Sequence, residues 1–220
     1  MVQHARYLRS FGRVRGKSLR PLQRSLMDHL LPKLAFSSSA SVAGYTDIAL
    51  EIGFGGGEHL AALAKAKPAT LCIGAEPFEN GVAKLLRAVD AEKISNIRIH
   101  MGDAREVIAA LPDASVQHVY LLFPDPWPKA KHFKRRIFTH AFLETIARIQ
   151  PCGGVLQLAT DHADYACWML EHLQQTPYYV WQAESKADWE NPPAIWAETK
   201  YQRKTTQQGR APMFFKCVRG

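Results

Sequence analysis

From Asp47 onward, short apolar runs alternate with segments of helical period, and this alternation leaves few architectures open. Residues 47–52, 70–74, 97–101, 116–123 and 154–159 read as strands. Residues 58–66, 79–91, 104–111, 138–149 and 163–174 read as the helices that follow them. Residues 178–182 and 213–218 read as two final strands. A βαβα order needs crossover connections, so the expected fold is α/β, with a mostly parallel seven-stranded sheet and helices on both faces. Ahead of it, Leu22, Leu26, Leu30 and Leu34 recur at helical spacing, so residues 21–34 read as one amphipathic helix. Residues 37–41 are a serine-rich connector, and residues 1–20 read as a flexible basic arm. The expected organisation is an arm and helix over residues 1–36 and one domain over residues 37–220.

Charge is segregated along the chain. The net charge is +8. Residues 1–36 hold eight Lys/Arg against Asp28, residues 124–136 hold five against Asp125, and residues 196–220 hold six against Glu198. The three segments carry +7, +4 and +5, so the remainder carries −8. An acidic body with three basic segments points to a polyanionic partner, and nucleic acid is the expected one. No run approaches the ~18 apolar residues of a membrane span. Residues 1–6 contain no apolar signal region. Cys72, Cys152, Cys167 and Cys217 form no CxxC. Cys72, Cys167 and Cys217 fall in apolar patterns and read as small core residues in a reducing cytosol. His59, His118 and His162 lack companions at ligand spacing, so no metal is expected.

Glu51-Ile52-Gly53-Phe54-Gly55-Gly56-Gly57-Glu58 joins the first strand to the first helix. Glycines there let the backbone approach a ligand closely. A dinucleotide fingerprint wants glycine where Glu58 stands, and an acid at the helix N-terminus repels a pyrophosphate. NAD is therefore disfavoured, and a cofactor without phosphates is expected. S-adenosylmethionine, with its ammonium, carboxylate and sulfonium, is such a cofactor. Glu76, after the second strand, can accept both ribose hydroxyls. Asp103, after the third, can accept an adenine amino group. Glu51 ends a buried strand and needs a cationic partner, which the cofactor ammonium can supply. With the glycine loop, these acids indicate a Rossmann-like class I methyltransferase fold.

The fourth strand runs into Phe123-Pro124-Asp125-Pro126-Trp127-Pro128-Lys129. Prolines on both sides of an acid make a stiff, non-helical turn at a strand's carboxyl end, where ligands bind in open α/β sheets. Lys131, Lys134, Arg135 and Arg136 follow and read as a grip on an RNA backbone. Trp127 reads either as a stacking surface for a flipped base or as packing under the loop.

Together with Arg9-Ser10-Phe11, Gly74-Ala75-Glu76, Gly102-Asp103-Ala104, Thr160-Asp161 and Thr199-Lys200-Tyr201, these motifs resemble the bacterial tRNA (guanine-N7-)-methyltransferase family over nearly the whole chain. The resemblance implies methyl transfer from S-adenosylmethionine to N7 of a guanine in the tRNA variable loop. It implies cofactor contacts from Glu51, Gly53, Gly55, Glu76, Asp103, Ala104 and Asp125, with Asp125 also catalytic. It implies substrate contacts from Lys129, Asp161, Thr199, Lys200, Tyr201 and Gln202. The family usually has glutamate where Gln202 stands, so an ionic role is not expected there. The expected setting is the cytoplasm, with tRNA as partner, no membrane, and a monomer or homodimer. An amino-group methyltransferase of adenine or cytosine and a catalytically silent RNA-binding scaffold remain open alternatives.

Overall fold

The computed structural model describes residues 12–37 and 42–220. The Arg9-Ser10-Phe11 motif and most of the serine connector lie outside the described residues. Strands β1 (Ile48–Ile52), β2 (Leu71–Ala75), β3 (Ile97–His100), β4 (His118–Leu122), β5 (Val155–Thr160), β6 (Tyr179–Trp181) and β7 (Met213–Arg219) form one sheet. Its order is β3-β2-β1-β4-β5-β7-β6. Strands β1 to β5 run parallel, and β7 lies antiparallel to both β5 and β6.

The helices are α1 (Pro21–His29), α2 (Leu31–Leu34), α3 (Glu58–Ala66), α4 (Glu79–Glu92), α5 (Ala104–Ala110), α6 (His140–Ile149), α7 (Ala163–Gln175), α8 (Ala187–Glu190) and α9 (Lys200–Gln207). The single helix expected over residues 21–34 is broken at Leu30. Pro32 sits in the first turn of α2, where its missing N–H costs nothing; inside a longer helix it would remove a bond. Two short polar helices, α8 and α9, were not expected.

The strand period of two sorts the core into two layers. Ile48, Leu50 and Ile52 face one layer with residues of α5, α6 and α7. Ala49 faces the other, with Leu60 and Leu63 of α3 and Leu85 and Leu86 of α4. Cys72 and Cys217 are core residues, whereas Cys167 is exposed on α7, contrary to its apolar pattern, and Cys152 is exposed too.

The chain steps outward from β1 to β3, then returns to place β4 on the other side of β1. Such a reversal leaves a crevice at the carboxyl ends of β1 and β4, with no crossover to fill it.

Candidate active site

A cavity of about 520 Å³ occupies that crevice. This is within the roughly 300–1,000 Å³ usual for small-molecule sites. Gly53, Glu76, Asp103, Ala104 and Asp125 all line it. They come from the carboxyl ends of four strands, or from the turns that follow.

The glycine loop is held from below. Gly53 takes φ +72°, a conformation a side chain would oppose, and its N–H donates to the Ala75 carbonyl at 2.8 Å. Gly55 does not line the cavity, but its N–H donates to Glu76 Oε2 at 2.8 Å. Glu76 Oε1 accepts from the Phe78 N–H, also at 2.8 Å. Glu76 therefore ties the first and second strand–helix turns together while its carboxylate borders the cavity. Burial raises its pKa against those two hydrogen bonds, and the nearby Asp125 and Glu51 charges raise it further. Glu58 forms an ion pair with Lys84. Burial alone would raise Glu58, but the Lys84 hydrogen bond and charge outweigh it and its pKa is lowered. Its charge is thus compensated, which weakens the electrostatic argument against a pyrophosphate.

Asp103 caps α5, its Oδ1 accepting from the Arg105 N–H at 2.9 Å. The Arg105 guanidinium also clamps both carboxylate oxygens. These bonds outweigh desolvation and lower the Asp103 pKa. Asp125 is open to solvent at the cavity wall, yet partial desolvation raises its pKa. Phe123 and Trp127 on either side of it have φ of +50° and +42°. Bulky residues are rare in that region, and such strain concentrates at functional turns.

Glu51 stands apart from the cavity. The strand period turns it to the α3 side, where it is 3% exposed and its Oε2 accepts a hydrogen bond from His59 Nδ1 at 2.8 Å. His59 is 1% exposed, and its Nε2 has no hydrogen-bond partner among the described residues. A ligand was the expected partner of Glu51. The first turn of the helix covering β1 supplies one instead, and the facing of strand and helix was the signal for it.

Apart from Lys129, the expected substrate residues gather on a neighbouring rim. Asp161, at the end of β5, accepts from Tyr201 Oη at 3.2 Å and pairs with Arg210 at 3.3 Å. Burial and the Asp161 charge push the Tyr201 hydroxyl up to about 12. Thr199 caps α9 by accepting from the Gln202 N–H at 3.1 Å. Gln202 is buried, its Oε1 accepting from Trp196 Nε1 at 3.0 Å. The Trp196 ring reaches His59 at 5.4 Å, so this rim abuts the helix of the glycine loop. Lys200 and Lys129 are exposed, and neither lines the cavity.

Two features differ from expectation. The segment after Gly12 leans on α4: Val14 and Lys17 carbonyls accept from Glu79 and Asn80, the Arg13 guanidinium lies 5.3 Å from the Phe78 ring centroid, and Gly12 and Arg13 line the cavity. Part of the arm is thus cavity wall. In the basic loop, Lys131 and Lys134 are exposed as expected, but Arg136 is buried. Among the described residues no group of three His, Cys, Asp or Glu could hold a metal ion, and no helix is long and apolar enough to cross a membrane.

Known proteins resemble this chain at two levels, fold and sequence. Solved structures share the fold: the 16S rRNA methyltransferase KamB superposes with a TM-score of 0.56 at 13% identity, covering 82% of this chain and 92% of its own. A protein from Streptococcus mutans described as "a putative methyltransferase", solved in complex with SAH, gives 0.51 at 12% identity, covering 93% of this chain and 100% of its own. A family model described as "Putative methyltransferase" matches residues 46–215. A tRNA (guanine-N(7)-)-methyltransferase from Nitrobacter hamburgensis is 44% identical over 95% of this chain and 86% of its own length. Another of that name from Caulobacter sp. is 44% identical over 96% of this chain and 95% of its own. Sequence identity of this extent over nearly the whole chain shows that the chain belongs to the tRNA (guanine-N(7)-)-methyltransferase family.

Proposed function

We propose that this chain transfers a methyl group from S-adenosylmethionine to N7 of a guanine in tRNA, with the variable loop as the target region. The observation that carries the reading is Asp125, fixed in a strained turn at the carboxyl end of β4 and facing the same cavity as Glu76.

The residues present fit the cofactor. Glu76 and Asp125 present two partly desolvated carboxylates to one cavity, and burial raises both pKa values, so a cationic ligand that reaches both of them is favoured. Glu76 keeps lone pairs for the ribose hydroxyls beyond its two backbone bonds. Asp103 and Ala104 are assigned to the adenine, and Gly53 and Gly55 to the backbone cradle. Glu51 acts through the field of its carboxylate beneath the loop. When bound, S-adenosylmethionine supplies an electrophilic methyl group on a positively charged sulfur.

The chain need not provide a strong base, because guanine N7 is already a free acceptor. Asp125 instead holds negative charge beside the ring, where positive charge accumulates during transfer. At an effective dielectric of about 20, such a pair at ~4 Å is worth roughly 4 kcal/mol. Asp161, Thr199, Lys200, Tyr201 and Gln202 are assigned to the guanosine side, and Lys129 to a phosphate or the guanine O6. Exposed Lys131 and Lys134, with residues 1–36, are assigned to the tRNA backbone. The reading places the protein in the cytoplasm, with residues 37–220 as catalytic domain, as a monomer or homodimer.

The test is methyl transfer to an unmodified tRNA transcript, followed by nucleoside analysis. The expected product is 7-methylguanosine. A methylated exocyclic amine would select the amino-group alternative, and no cofactor binding by calorimetry would select the silent scaffold.

A further inference from the structure

Arg136 is a largely buried arginine in the wall of the cavity that Asp125 also lines. Its side chain is 4% exposed, and no salt bridge to it occurs among the described residues. Its guanidinium instead lies 3.8 Å from the ring centroid of Phe133, 4.8 Å from Trp168 and 5.1 Å from Tyr165. Rings at these distances attract a cation through their quadrupoles. They do not replace the missing hydration, and burial lowers its pKa. Nη2 has no hydrogen-bond partner among the described residues. A buried cation held this way adds little stability, since an apolar side chain of similar volume commonly does as well or better.

The bond it makes explains its presence. Nε donates to the Pro126 carbonyl at 2.9 Å. Pro126 directly follows Asp125, inside the segment bounded by the two strained residues Phe123 and Trp127. The Phe123 end is fastened by its N–H to the Ala159 carbonyl at 2.8 Å. At the other end, the Arg135 guanidinium lies 4.8 Å from the Trp127 ring centroid. Strain of this kind persists only where the surroundings over-determine the turn. Arg136 supplies the fastening at the residue after Asp125, and the cage sets its guanidinium plane.

We propose that Arg136 is a positioning residue: the aromatic cage aims its Nε at the Pro126 carbonyl, and this clamp holds the Asp125 carboxylate at its place on the cavity wall. The proposal rests on the reading of Asp125 above, and it removes Arg136 from the residues assigned to RNA phosphates.

The experiment uses the full chain, an unmodified tRNA transcript and S-adenosylmethionine. Arg136→Met should melt at or above the wild-type temperature, and tRNA affinity and its salt dependence should be unchanged. Turnover should fall between about ten- and a hundred-fold, the scale of a small misplacement at a reacting centre, with KM little altered. Arg136→Lys keeps a cation in the cage but has no Nε to reach Pro126, so it should fold and still lose turnover. In an Asp125→Asn background, Arg136→Met should cost less than about two-fold more, because both changes act on one group. Wild-type turnover in either single variant overturns the proposal. So does weaker tRNA binding with a shallower salt slope, which is the signature of a phosphate contact, and so does an unfolded Arg136→Met variant, since the cation is assigned to the loop and not to the core. Near-normal turnover in Asp125→Asn alone would instead overturn the underlying reading of Asp125.

Discussion

Replacing Asp125 with asparagine tests charge with almost no change of shape. The turn is unaffected in principle: Pro124, Pro126 and the left-handed Phe123 and Trp127 set the backbone whatever stands between them. A carboxylate ~4 Å from the developing charge, in surroundings of dielectric about 20, contributes roughly 4 kcal/mol. That energy corresponds to about three decades of rate. An amide oxygen retains part of the effect, so the expected fall in turnover is about 10²–10³. The assay is single-turnover methyl transfer at saturating cofactor, which separates chemistry from binding and release. Stability should move the other way. Partial burial raises the Asp125 pKa in the folded chain, so its ionised form opposes folding. That opposition is absent below the unfolded pKa and complete above the raised folded one. At neutral pH the variant should therefore melt no lower than wild type. Turnover within about three-fold of wild type would refute the electrostatic role, and a rate loss that follows a lower melting temperature would show the residue to be merely structural.

Glu76→Ala removes the anchor of two turns as well as an acceptor, so cofactor affinity should weaken by about ten-fold or more, roughly 1.4 kcal/mol; unchanged affinity by calorimetry would misplace the site. Cofactor binding should release protons as the pH nears the raised pKa values of Glu76 and Asp125, because a cation in the cavity lowers carboxyls that the free protein holds high, and affinity should fall as pH drops through those values. Calorimetry in buffers of different ionisation enthalpy reads this directly, and buffer-independent heats would contradict it. Deleting residues 1–20 removes six Lys/Arg and should flatten the salt dependence of tRNA binding by roughly 0.7–0.9 for each phosphate that is no longer neutralised. Because Gly12 and Arg13 are cavity wall, cofactor affinity should also drop, and an unaltered cofactor affinity would show that wall to be incidental.

The sheet was legible because buried parallel strands announce themselves as short apolar runs, and each observed strand falls within or close to its expected span. Helix α9 was invisible for the opposite reason. Lys-Tyr-Gln-Arg-Lys-Thr-Thr-Gln has no apolar stripe, and the helix is held by the Thr199 cap and the buried Gln202 and Thr205. The acids around the cavity were legible through their positions after strands. Their partners were not. His59 meets Glu51 through the facing of a strand and a helix, and Arg105 meets Asp103 through a cap. Arg136 looked like one of a run of surface cations. The rings Tyr165 and Trp168 that enclose it belong to α7, and no local pattern brings that helix to the loop.

Strand β7 lies between β5 and β6, although it follows both in the chain. Until β7 emerges from the ribosome, β6 has no strand to pair with and β5 is an open edge. That edge carries Leu156 and Leu158, both fully buried in the finished sheet. Newly made chains therefore pass through an interval in which an apolar edge can pair with another chain. The segment that delays closure contains α8 and α9, the same stretch that brings Thr199 to Gln202 to the rim. Variation in that segment changes how long the edge stays open as well as what the rim recognises. Loss of yield on synthesis, with normal activity in the molecules that do fold, is the signature this topology predicts for lengthening it.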